Sequence, residues 1–257
     1  MLAHQYMKKS ALVMGLAIAG LVSIPASAAI TTYYGFDAGA FGGPHPNSDA
    51  ANQAFLGQVL PATVGVETFE GDSVGSFRGS SITLAYAPTG ITGVMQGLAT
   101  SVAEVSNVSS PGVIGSISAT QYLGFDTSGN STFFNLVLSA PRTAFGFYGA
   151  SLSNYLNSAG GPFPPIQISL DGGAPIAVLN VNPSNIPGGS VNFFGVVSDV
   201  AFTTIRLINP VGTGGDGIGI DDITVAQAVP EPTSFLLFGV GLAALIWRAG
   251  RFKRILR

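Results

Sequence analysis

An all-β fold, an antiparallel β-sandwich or jelly roll, is what this 257-residue sequence predicts. Three observations carry the expectation. Short runs rich in β-branched and aromatic residues recur from Val66 to Val225, with Gly, Pro, Asn and Ser filling the gaps. Asp171-Gly172-Gly173 stands between two such runs as a hairpin signal. No helical pattern lies between the runs, so the alternating βα units of a nucleotide-binding α/β fold are missing.

Taken in order, the chain starts irregularly after residue 30, and Gly39 to Pro46 is rich in Gly and Pro. One helix of about ten residues follows. Asn47 or Ser48 is its expected N-cap, and Ala51, Ala54, Phe55 and Leu56 form its apolar side before Gly57. The expected strands are Val66 to Glu70, Ser81 to Tyr86, Ile114 to Ile117, Phe133 to Leu138, Phe145 to Tyr148, Ile166 to Leu170, Ile176 to Asn180, Phe193 to Val197, Thr203 to Ile208 and Ile218 to Val225. No fixed repeat is present, so one domain over residues 29–227 is the simplest organisation.

Charge is unevenly placed. Seven of the ten basic residues sit in the two terminal segments, while all thirteen acids lie between Asp37 and Glu231. Residues 29–232 therefore set three arginines and no lysine against thirteen acids, a net charge of −10. Nucleic-acid binding is excluded as a partner class, because nothing clusters to neutralise phosphates. The chain has no cysteine, which rules out disulfides and thiolate metal sites. A domain of about 200 residues buries enough core without such staples.

Both ends carry addresses. Lys8 and Lys9, the apolar run Ala11 to Ile24 and the small-residue box Ala26-Ser27-Ala28 read as a signal peptide over residues 1–28, engaging the export machinery and leaving Ala29 as the first mature residue. At the other end, Pro230-Glu231-Pro232 precedes an uncharged stretch from Thr233 to Trp247 and the basic residues Arg248, Arg251, Lys253, Arg254 and Arg257. As a membrane helix, residues 233–247 span about 22 Å at 1.5 Å per residue. That is short of the ~30 Å hydrocarbon core. The positive charges after it favour the cytoplasmic side. The prolines keep the motif extended, in a form a processing enzyme can grip.

In this order the three parts of residues 228–257 resemble the PEP-CTERM sorting signal. The resemblance implies a membrane-anchored precursor recognised through Pro230, Glu231 and Pro232 by an exosortase, an integral-membrane processing enzyme. It further implies an ectodomain left at the cell surface or in the extracellular matrix, commonly beside exopolysaccharide in biofilm. Three blocks, Thr143 to Gly149, Phe193 to Ser198 and Gly217 to Ile223, also resemble galactose-binding-like and carbohydrate-binding jelly rolls.

Candidate chemistry is sparse. Glu67, Glu70 and Asp72 lie on or just after an early strand, and Asp216, Asp221 and Asp222 lie around the last one. First and last strands of a sandwich are often neighbours, so Glu70, Asp72, Asp221 and Asp222 are the expected ligands of a structural calcium, which takes six to eight oxygens. The competing reading leaves these acids in water or bonded to turns. Tyr148, Asn154 and Tyr155 have the residue types of a sugar site, and core packing is the alternative for the tyrosines. No carboxylate pair has the spacing of a glycosidase evident in the sequence. His45 is alone in the ectodomain, and no Gly-x-Ser-x-Gly elbow is present. The expectation is a non-enzymatic exported protein that binds carbohydrate or exopolysaccharide, with a secreted polysaccharide hydrolase and a ligand-free structural matrix protein as alternatives.

Overall fold

The computed structural model describes residues 29–40, 42–76, 81–97, 103–107, 117, 120–126, 134–150, 152, 166–178, 189–208, 217–230, 239 and 241. The strands are β1 (Ile30–Asp37), β2 (Gly65–Glu67), β3 (Gly75–Ser76), β4 (Ser81–Tyr86), β5 (Ile91–Gly97), β6 (Ala103–Ser106), β7 (Tyr122–Asp126), β8 (Phe134–Ala150), β9 (Gln167–Leu170), β10 (Ile176–Ala177), β11 (Val191–Ile208) and β12 (Gly217–Ala226). One helix, α1 (Pro46–Leu56), and a 3₁₀ turn, Pro61–Thr63, lie between β1 and β2.

The antiparallel all-β expectation holds, and the described strands form one continuous open sheet. The path is β10-β9-β11-β8-β12-β7-β6-β3, with β1 on β11, β2 on β12, and β4 reaching β8 through β5. The physical reason lies in β8 and β11. Each was expected as two short strands, and each runs unbroken through the expected gap. The first part of β8, Phe134 to Leu138, pairs with β5, and its second part, Ala144 to Ala150, pairs with β12. β11 changes partner too, from β1 to β9, with register shifts between Val197 and Thr204. Bulges of this kind bend a strand without ending its pairing. Leu136 and Met95 from one region and Phe145, Phe194, Ile220 and Val225 from the other then share one core cluster.

The second part of β8 is buried on both faces. Phe145 and Phe147 enter the main core, while Ala144 and Tyr148 enter a smaller cluster with Phe55 of α1. Alternation at period two assigns the faces. Gly146 and Gly195 stand opposite each other in the β8–β11 ladder. A Cβ at Gly195 would lie 2.7 Å from Phe55 Cδ2, and one at Gly146 would lie 3.3 Å from Phe55 Cε1. The glycine pair makes the slot that the Phe55 ring fills.

The helix was placed correctly by sequence but its cap was not. His45 is the N-cap and makes no capping bond from its side chain. Asn47 and Ser48 instead lie inside the first turn, and both backbone N–H groups donate to Asp37 of β1, at 3.1 and 2.8 Å. The hairpin at Asp171-Gly172 is as expected, with φ of 46° and 74°, the left-handed pair of a type I′ turn. β1 lies where the sequence predicts irregular chain, and β3, β5, β6 and β7 lie where it predicts no strand.

No described helix is long and apolar enough to cross a membrane. The expected signal peptide at 1–28, Glu231, Pro232, nearly all of the helix at 233–247, the basic tail from Arg248 to Arg257 and the expected strand at 114–116 lie outside the described residues, as do Asn154, Tyr155 and Asp216.

Candidate functional site

The acids predicted to gather around calcium are used locally. β2 and β12 are neighbours as expected, with Glu67 opposite Ile223. Among the described residues, however, no three of His, Asp and Glu form a group that would hold a metal ion. The carboxylates take backbone N–H groups instead. Glu67, largely buried, accepts from Phe69 at 2.8 Å and Ala85 at 2.7 Å. Glu70, on the surface, accepts from the amides of Thr120 and Gln121 and from the Thr120 hydroxyl, at 2.6 to 2.7 Å. The Gln121 amide, then the two Thr120 donors, hold its carboxyl below the usual range.

Asp221 is fully buried on β12. Its Oδ2 accepts from the Ile117 N–H at 2.8 Å and its Oδ1 from the Asp222 N–H at 2.8 Å. The competing reading that leaves Asp221 in water is corrected by that burial. Asp222 has φ of 49° at the register shift between Asp221 and Thr224. Asp72 closes a turn by donating its N–H to the Phe69 carbonyl at 3.0 Å. Burial, and then the neighbouring charge of Glu67, push its carboxyl up to about 6.

Tyr148 is a core residue and not an open platform for a sugar ring. It is 6 % exposed and packs edge-on against His45 and Phe193, with ring centroids 5.6 and 5.1 Å away. Its hydroxyl donates to Asp49 Oδ1 at 2.8 Å and accepts from Asn52 Nδ2 at 3.1 Å. Asp49 Oδ1 also lies 3.0 Å from His45 Nδ1. Burial, then the bond to Asp49, raise the phenol above its ordinary range. Sequence reasoning missed this His45–Asp49–Asn52–Tyr148 cluster, because Tyr148 reaches the helix across about a hundred residues of chain. The cluster joins α1 to the sheet through the Tyr148 hydroxyl, which bonds both Asp49 and Asn52.

A groove of about 300 Å³ lies elsewhere, between the β9–β10 hairpin, the bend of β11 and the start of β1. Ile30, Leu170, Ile176 and Phe202 make it mainly apolar. Its Asp171 carboxylate already accepts from the Thr203 and Thr204 amides at 3.0 and 2.7 Å.

The last feature sits where the sheet ends. Beyond β12, Ala228 forms an antiparallel bridge with Val59. Leu60 N–H donates to the Gln227 carbonyl at 2.8 Å, and Val229 N–H to the Gln58 carbonyl at 2.9 Å. Gln227 N–H donates to Thr63 Oγ1 at 2.9 Å and Ala228 N–H to Thr143 Oγ1 at 2.6 Å. The chain is thus fixed up to Val229, and exposed Pro230 follows. The family described as the PEP-CTERM protein-sorting motif matches residues 228–251.

Those residues are a PEP-CTERM protein-sorting motif. It begins at Ala228, inside the hydrogen-bonded segment, with no linker between the sheet and the sorting signal. No curated protein matches the chain as a relative. Among solved structures, the K2 cleaved adhesin domain of Lys-gingipain is similar at 15% identity and a TM-score of 0.37, covering 64% of this chain and 98% of that one.

Proposed function

We propose that this is a non-enzymatic surface protein, exported and then sorted through Pro230-Glu231-Pro232 by an exosortase, whose ectodomain works outside the membrane as a binder of extracellular polysaccharide. The observation that carries the reading is the PEP-CTERM motif at residues 228–251, which implies export and a membrane-anchored precursor. The motif follows directly on the last strand of the sheet, so the folded cargo is the β-domain itself.

The saccharide part rests on two supports: the acidic, lysine-free composition of residues 29–232 and the resemblance of the Phe193 and Gly217 blocks to carbohydrate-binding ectodomains. No residue is assigned to it, since Tyr148 is occupied in the core and Asn154 and Tyr155 lie outside the described residues.

Deleting Pro230-Glu231-Pro232 tests the sorting. The expected outcome on cell fractionation is unprocessed precursor held in the membrane; normal release of the deletion variant overturns the reading. A glycan array with and without calcium tests the binder. Saturable binding to polysaccharide is expected, with no new reducing ends formed on incubation.

A further inference from the structure

We propose that Gln227–Val229 is a clamp that positions the sorting tail for processing, with Thr143 and Gln227 as its positioning residues, so that cleavage is confined to the C-terminal side of Val229. The inference rests on the sorting reading above. It goes beyond that reading in saying where on this chain the enzyme can act and why.

The geometry is that of a short zipper. Consecutive backbone N–H groups of Gln227, Ala228 and Val229 are all donated, to Thr63 Oγ1, Thr143 Oγ1 and the Gln58 carbonyl. The Gln227 carbonyl accepts from Leu60 N–H. The Gln227 side chain is fixed at both atoms. Its Oε1 accepts from the Thr143 hydroxyl at 3.1 Å, and its Nε2 donates to the Pro141 carbonyl at 3.0 Å. Thr143 therefore bonds the tail twice, once through Gln227 and once through Ala228. It does so from the middle of β8, the strand that pairs with β11, β5 and β12.

Pro230 ends the zipper for a covalent reason. It has no N–H to donate, so the ladder cannot extend past Val229. The Pro230-Glu231-Pro232 segment of the motif thus starts at the first residue that has no N–H to give the ladder. An enzyme that cleaves a backbone must draw the substrate into its own groove in extended form and use those same backbone groups. Upstream of Pro230 the N–H groups of Gln227, Ala228 and Val229 and the Gln227 carbonyl are already engaged, and each bond must be released before the enzyme can use them. Cleavage breaks one backbone C–N bond. The acyl carbon passes to water or to an acceptor amine, and the departing nitrogen takes up a proton as the new N-terminus of the tail. The clamp remains on the product side, still closed.

The test uses the full-length chain in host membranes containing exosortase, with mass spectrometry of the C-terminal peptide of the released protein. One species ending at Val229 or beyond is expected. A wild-type product ending at Ala228 or earlier overturns the proposal. Thr143→Val combined with Gln227→Ala should give ragged ends reaching upstream of Val229, and Thr143→Ser with native Gln227 should restore the single end. If the double variant melts lower yet keeps the wild-type end, the two residues only stabilise the fold and the positioning role is refuted. If wild-type protein is not processed at all, the sorting reading fails. Amide exchange on the detergent-extracted full-length chain then decides the clamp. Val229 and Leu60 should exchange at least ~10-fold slower than an unstructured amide, and unprotected exchange overturns it.

Discussion

Asp37 joins the first strand to the helix by electrostatics at a helix end. The first turn of a helix leaves N–H groups without intrahelical partners. Asp37, 7 % exposed, supplies the missing acceptors from β1, taking the Ser48 and Asn47 amides and the Asn47 side chain at 2.9 Å. Burial pushes its carboxyl up, and the hydrogen bonds from Ser48 and Asn47 outweigh burial and hold it below the usual range. Asp37→Ala should therefore cost about 2 kcal/mol in urea unfolding, the scale of a lost cap bonded to a charged acceptor. The sign with pH follows from the lowered value: the stabilisation is present above the unfolded carboxyl pKa of about 3.9 and lost as pH falls through the folded one. Asp72 behaves oppositely. Its folded value of about 6 lies above the unfolded one, so the folded state binds the proton more tightly and stability falls as pH rises from about 4 to 6. Asp72→Asn should raise the melting temperature at pH 7 and flatten its slope across that window. An unchanged slope would show that Asp72 is not the group responsible.

The same contrast between local and distant partners explains which elements were legible in the sequence. The Asp171-Gly172 hairpin needs only its own residues in the left-handed region, and it was readable. α1 has its apolar stripe in eleven consecutive residues and was also readable, whereas its cap comes from Asp37, outside any N-cap pattern. β8 and β11 looked like pairs of short strands because Pro141-Arg142 and Ser198-Asp199 have turn composition, yet pairing to neighbours carries both chains through. The pairing of the early strand with the last one was legible, but the acids on and after these strands bind amides, and some of those come from loops far along the chain, such as Ile117. The helix–sheet joint gives the sharpest test at this scale. Gly195→Ala would set a methyl 2.7 Å from buried Phe55. It should cost about 1–3 kcal/mol by overpacking. Phe55→Ala should cost about 3–5 kcal/mol. In the double variant the methyl has room, so the two costs should sum to more than the measured loss. Strict additivity in the double-mutant cycle would mean that Phe55 does not occupy the slot.

At the scale of the molecule, both ends of the described domain are tied to its sheet, which bears on the proposed removal of a signal peptide before Ala29 and of the tail after Val229. The C-terminal tie is the zipper at Gln227–Val229. The N-terminal one is Ala29, whose N–H donates to Asp199 Oδ1 at 2.8 Å and whose carbonyl accepts from Asp199 N–H at 3.2 Å. The β1–β11 ladder starts at the next pair, Ile30 and Ser198. Signal-peptide removal after Ala28 would turn that amide nitrogen into an ammonium group without moving it away from the carboxylate. The pair is exposed, so it is worth no more than about 1 kcal/mol, and folding does not depend on it. Its effect is on titration. The Ala29 α-amino group of the released protein should titrate above the ordinary range of about 7.7–8.0. Because the folded value is the higher one, the added stability is full below the unfolded value and is lost as pH rises through the folded one. Asp199→Asn should return the amine to the ordinary range, and high salt should reduce the difference by screening. The measurement is the pH dependence of amine labelling at the N-terminus of both proteins. Identical titrations would mean that export leaves the new N-terminus unpaired.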